Sequence, residues 1–104
     1  MQNFGKFTPS LETMTHEGKT YYVHFMRNSL GADVVDVLAA NPHPFYIAVD
    51  DDNTVVAMEE MPELMQIPHH DIIGIDETQG FTHGEGGNVY GKVWNGGAIV
   101  EPSL

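Results

Sequence analysis

The stretch Phe45-Tyr46-Ile47-Ala48-Val49-Asp50-Asp51-Asp52-Asn53-Thr54-Val55-Val56-Ala57-Met58 decides the fold class. Two apolar runs rich in β-branched and aromatic residues flank four turn-forming ones. Asp and Asn side chains bond local backbone and tolerate left-handed geometry, so the stretch predicts a β-hairpin.

Upstream, Thr20-Tyr21-Tyr22-Val23-His24-Phe25-Met26 also reads as a strand, with apolar residues on both faces, the pattern of a central strand. A single amphipathic helix is expected after it. Asn28 or Ser29 can cap that helix, Asp33 suits its first turn, and Asn41-Pro42 ends it. Leu30, Val34, Val37 and Leu38 form its apolar stripe.

Downstream, Pro62 to Pro68 reads as a connecting turn or one short helical turn, and Asp71 to Asp76 as a strand. Gly80 to Gly87 reads as a mobile loop. A second hairpin is expected from Asn88 to Trp94 and Gly97 to Pro102 around Asn95-Gly96, the dipeptide most typical of tight hairpins. Residues 1–18 mix Gly, Pro, Ser and Thr with few apolar residues and are expected to be a loosely ordered start. The expected fold is α+β: a small, mostly antiparallel sheet of five to seven strands with one amphipathic helix packed on one face. A partly open barrel is the alternative. The length of 104 residues fits a single domain.

Charge is the most unusual property. Four Lys and Arg stand against 15 Asp and Glu, a net charge of −11, and no Lys or Arg occurs between Arg27 and Lys92. Asp50, Asp51, Asp52, Glu59, Glu60, Glu63, Asp71, Asp76 and Glu77 crowd one segment. Such a field repels phosphates and argues against direct nucleic-acid binding, which is driven by Lys and Arg. It attracts basic proteins, although it also simply keeps a protein soluble. The absence of Cys excludes disulfides, iron–sulfur clusters and thiol nucleophiles and fits a reducing compartment. No run is long and apolar enough for a membrane span, and Met1-Gln2-Asn3-Phe4-Gly5-Lys6 lacks the apolar core of a secretory signal, so a cytoplasmic location is expected.

Motifs for chemistry are sparse. His69 or His70, with His83 and Glu85, would suit an open zinc site if the fold joined them; the plainer reading is a polar turn and a loop. His83-Gly84-Glu85 lacks the later Cys pair that a zinc deaminase needs. Asp50 to Asn53 fails the EF-hand pattern at position six, Val55, and position twelve, Met61. The glycine loop lacks the Lys and Ser/Thr of a phosphate-binding loop. Ser10, Ser29 and Ser103 stand in capping, turn or terminal contexts without a nucleophile motif.

The sequence therefore points to a non-catalytic acidic protein that covers a basic surface of another protein, as immunity proteins, antitoxins or phage inhibitors of host enzymes do, with no cofactor. Asp50, Asp51, Asp52, Glu59, Glu60 and Glu63 would steer, and Met61 and Met65 would anchor. The alternative is a structural or assembly subunit of a virion or secretion apparatus, working through strand pairing and oligomerisation, with Thr20 to Met26 and the terminal hairpin as pairing edges. A small metal enzyme using His69, His70 or His83 is third.

Overall fold

Alternation of side chains along one central strand organises the fold. In a computed structural model, which describes residues 1–102, the chain runs through β1 (Gln2–Lys6), β2 (Thr8–His16), β3 (Lys19–Arg27), α1 (Val34–Ala40), β4 (Phe45–Val49) and β5 (Val55–Glu59). A 3-10 turn (Pro62–Leu64), β6 (Asp71–Ile75), β7 (Val93–Trp94) and β8 (Ile99–Val100) follow. Ser103 lies outside the described residues.

Strands β1, β6, β4 and β5 form an antiparallel sheet in that order, while β2–β3 and β7–β8 are separate two-stranded units. The fold is thus α+β and mostly antiparallel, with several open sheets in place of a barrel. Strand β4 is paired on both sides and its interior residues are buried. Ile47 and Val49 join Val55, Met58, Ile73 and Ile75 on one face, closed by Val89, Trp94 and Ile99. Tyr46 and Ala48 join Ile72 on the other, closed by Val34 and Leu38 of α1 with Phe7, Met26 and Met65. The β4–β5 register shifts between Ala48 and Val49, where Val49 opposes Val55 and Ala48 opposes Ala57. The extra residue, Val56, lets Val55 and Met58 reach the same core.

Helix α1 begins later than the sequence suggests. Asp33 caps it, its carboxylate accepting from the Val35 and Asp36 N–H groups. Asn28 instead caps the preceding turn, where Leu30 is exposed outside the helix. Asn41 ends the helix as expected. The Tyr46 hydroxyl donates to the Leu38 carbonyl at 3.2 Å and accepts from the His43 N–H at 3.0 Å, tying the helix end to β4.

The first 18 residues depart most from expectation, forming β1, β2 and the turn into β3. Strand β3 is not central either. Apart from a single bridge of Arg27 to Asp33, it pairs with β2, in a hairpin closed by Glu17-Gly18, both with positive φ, the backbone a two-residue turn needs to match strand twist. The terminal hairpin is also shorter than expected. Its turn spans Asn95 to Ala98, with the Asn95 side chain accepting from the Gly97 and Ala98 N–H groups.

Gly74 shows how tightly the helix-side face is packed. Its Cα faces the His43 ring, and an added Cβ would overlap that ring. The ring is itself held edge-on between Phe4 and Tyr46. Gly74→Ala is therefore expected to destabilise the fold by about 1–3 kcal/mol through overpacking. Pairing it with His43→Ala should recover part of that loss, as denaturant unfolding of the single and double variants would show.

Candidate functional site

Two features of the molecule face outward: a projecting hairpin and the acidic residues of the body. The hairpin comes first because its geometry is the less ordinary. Strands β2 and β3 are nine residues each and paired throughout, from Thr8 opposite Arg27 to His16 opposite Lys19. That length corresponds to about 30 Å. It accounts for the elongated envelope of 57 × 24 × 22 Å and a radius of gyration of 15.3 Å, against about 13 Å for a compact chain of this size.

The base of this arm is anchored, with Phe7 and Met26 buried in the helix-side core. Farther out, burial falls away. Leu11 is 61% exposed and Tyr22 74%, and Met14 and Tyr21 are about half exposed. Directly opposed residues share a face, so Leu11 lies with His24 and Thr13 with Tyr22 on one side. Met14 lies with Tyr21 and Glu12 with Val23 on the other. Neither side has a body element to cover its apolar groups.

A charged clamp stiffens the arm. Arg27 forms a two-pronged bond to Glu12, with its Nη2 at 2.9 Å from Oε1, and its Nη1 donates to the Gly31 carbonyl at 3.0 Å. Its guanidinium lies over the Phe25 ring. The Arg27 guanidinium, aided by the Ser10 hydroxyl, holds the Glu12 carboxyl below the usual range.

The acidic residues do not form one face. Asp50 to Asp52 occupy the β4–β5 turn, whereas Glu59, Glu60 and Glu63 follow the far end of β5. A five-residue strand, about 16 Å, separates the groups. Asp50 is engaged within its turn, its Oδ1 accepting from the Asp52 and Thr54 N–H groups at 2.9 Å each. Asp51 pairs with Lys6 of β1 at 2.7 Å, and that ammonium lowers its pKa. Asp52, Glu60 and Glu63 are exposed, as is Met61. Met65 has no exposed surface and fills the helix-side core. It cannot anchor a partner from there.

The histidines are likewise divided. Antiparallel pairing sets Asp71 beside Val49 and Ile75 beside Phe45. His69 and His70, just before β6, thus lie near the β4–β5 turn, and His70 Nδ1 contacts the Pro68 carbonyl at 2.7 Å. His83 packs edge-on against Phe45 at the other end of the sheet, with Glu59 and Glu60 at 3.9 and 3.8 Å. Register therefore keeps His83 and Glu85 from joining His69 or His70. Among the described residues no three His, Asp or Glu side chains are gathered for a metal.

The glycine loop is tied rather than loose. Asn88 Oδ1 accepts from the Thr82 N–H, the Tyr90 hydroxyl from the Gly84 N–H, and the Thr82 carbonyl from the Val89 N–H. A Cβ at Gly87 would strike the Thr82–His83 backbone, so the loop needs glycine there to close on itself. A recess of about 290 Å³ is lined by Met1, Ile75, Asp76, Glu77, Gln79, Trp94 and Gly97. It contains carboxylates but no nucleophile. The His43–Asp76 contact, 3.4 Å, lowers the Asp76 pKa.

The arm could have been found in the sequence. Leu11, Thr13 and Thr15 alternate with Glu12, Met14 and His16 up to Glu17-Gly18, and the aromatic strand follows at once. The hidden signal is that Glu-Gly can serve as a two-residue turn.

Because the Glu12 pKa is depressed in the folded arm, the clamp contributes fully above the unfolded value of about 4.3 and is lost as pH falls through the lower folded value. Amide protection factors in residues 22–31, corrected for the intrinsic pH dependence of exchange, should therefore fall as pH drops below the usual glutamate range, and Glu12→Gln should show the lowered protection already at neutral pH. No protein-family model, curated protein or solved structure matches the chain.

Proposed function

We propose that the protein is an assembly component that grips a neighbouring protein chain through the β2–β3 arm. The observation that carries this reading is the arm itself. An isolated two-stranded hairpin is marginal in water, and three or more strands with a covered apolar face are needed for independent stability. Here nine-residue strands extend beyond the core with Leu11, Met14, Tyr21 and Tyr22 uncovered. A neighbour that pairs with the arm's edge, or packs against its face, supplies the missing covering. Tyr is well suited to this, since its ring buries much area while losing little conformational freedom.

The acidic surface favours a second reading, an inhibitor that covers a basic protein. Asp52, Glu60 and Glu63 are exposed, and no Lys or Arg adjoins them in sequence. The readings differ in which force dominates. Contact through the arm is apolar and backbone-mediated and resists salt, whereas steering by carboxylates weakens as salt screens it.

The test compares co-isolation of bound protein from producing cells for three forms: the native chain, Leu11→Asp with Tyr22→Asp, and Asp52→Lys with Glu60→Lys and Glu63→Lys. The arm reading expects a salt-resistant partner, whether another protein or a copy of the chain itself, lost by at least tenfold in the first variant and kept in the second. The reverse pattern, with recovery abolished by salt, would replace assembly with inhibition.

A further inference from the structure

We infer that the arm's partner is a second copy of this chain, paired antiparallel through the outer edge of β3 so that two hairpins make one four-stranded sheet. The inference rests on the arm reading and names its occupant. Three observations converge on it.

The first is the distribution of charge. Between Thr8 and Arg27 the acids Glu12 and Glu17 are matched by Lys19 and Arg27, so the arm is neutral. The net charge of −11 therefore lies wholly on the rest of the chain. Two bodies repel each other, and the arms are where copies can approach. Arms overlapped along their length keep the bodies at opposite ends of a sheet about 30 Å long, beyond the Debye length of about 8–10 Å.

The second is the composition of β3. Thr20-Tyr21-Tyr22-Val23-His24-Phe25-Met26 has no Lys, Arg, Asp, Glu, Pro or Gly, and its only ionisable groups near neutrality belong to His24. Such a segment, high in strand propensity and low in charge, is the kind that pairs with copies of itself. Lys19 and Arg27 bound it at either end.

The third is how the other edges are treated. Strand β1 carries a bulge at Phe4–Gly5 and ends on Lys6, both of which discourage pairing. Strand β5 has its outer side engaged near Val55, whose N–H and C=O bond Lys92 and Gly91. Strand β2 contains Pro9, which has no N–H to give, and Glu12. Among the described residues, β3 is the long edge left open between its ends: Asp33 bridges Arg27 at the base, and from Thr20 to Met26 no bulge, Pro or charge interrupts it.

Sedimentation velocity over a range of about 1–500 µM, at low and high salt, tests the inference with native chain and Tyr22→Lys. The exposed Tyr22 can be changed without disturbing the body core, and Lys is a typical guard of an edge strand. A native dimer that tightens as salt rises, and weakens at least tenfold in Tyr22→Lys, is the expected result. Salt should help because it screens body against body. A monomer throughout, or a dimer indifferent to Tyr22→Lys, would overturn it. Amide exchange of β3 in the presence of co-isolated protein separates the two levels. Protection of β3 by a different protein leaves the arm reading standing without the second copy. A β3 left unprotected by every co-isolated protein, and by the chain itself, removes both.

Discussion

Strand β4 is the constraint on which the rest of the structure depends. It is flanked by β5 and β6, so its backbone groups are matched on both sides and its side chains must fill two cores. Tyr46 and Ala48 serve the helix side, Ile47 and Val49 the other. The Tyr46 hydroxyl also bridges the Leu38 carbonyl and the His43 N–H, which ends α1 where the strand begins. Burying Tyr without such partners would cost about 1–3 kcal/mol, so one phenol joins helix termination to sheet packing. Gly74, beside Tyr46 in β6, completes the arrangement by leaving room for His43.

Once the body has been closed in this way, little apolar material is left to cover the arm. Phe7 and Met26 attach its base, and Arg27 ties its lower part to Glu12 and Gly31. Beyond that level, stability has to come from cross-strand pairs alone, worth about 0.2–1 kcal/mol each. The body and arm thus divide the chain's resources. The body holds the hydrophobic core and all of the net charge, and the arm holds exposed aromatic surface with balanced charge.

The parts legible in the sequence were those with strong local signals. The β4–β5 hairpin, β6 and the Asn41 helix stop followed from periodicity and turn chemistry. The four-residue acidic turn behaves as its side chains dictate, with Asp50 bonding the turn and Asn53 at φ 61°. The arm was not legible as an arm, because alternation reports a strand but not what covers its faces. Tyr21, Tyr22 and Val23 looked like a buried strand for that reason, and Thr8 to His16 looked loose because Pro9 and Ser10 masked the alternation. Long-range placement was the other limit. Composition put nine carboxylates in one segment, but antiparallel geometry carried Asp50–Asp52 and Glu59–Glu63 to opposite ends of the same strand. The same geometry parted His83 from His69 and His70, and Met65 sank into the core while Met61 remained outside.

An exposed strand as pairing-prone as β3 is a hazard, and the chain limits that hazard by symmetry and charge. A hairpin with two open edges could add copies without end, one on each side. Here Pro9 and Glu12 interrupt the β2 edge, so in the proposed dimer pairing through β3 would close at two copies about a two-fold axis. Lys19 and Arg27 resist extension of the ladder past the ends of β3, and the −11 charge of each body opposes stacking of one pair on another. The acidity of the body then has a simpler physical role than attraction of a basic target. In the proposed dimer it would confine contact between copies to the neutral arm, which is where the uncovered aromatic side chains are.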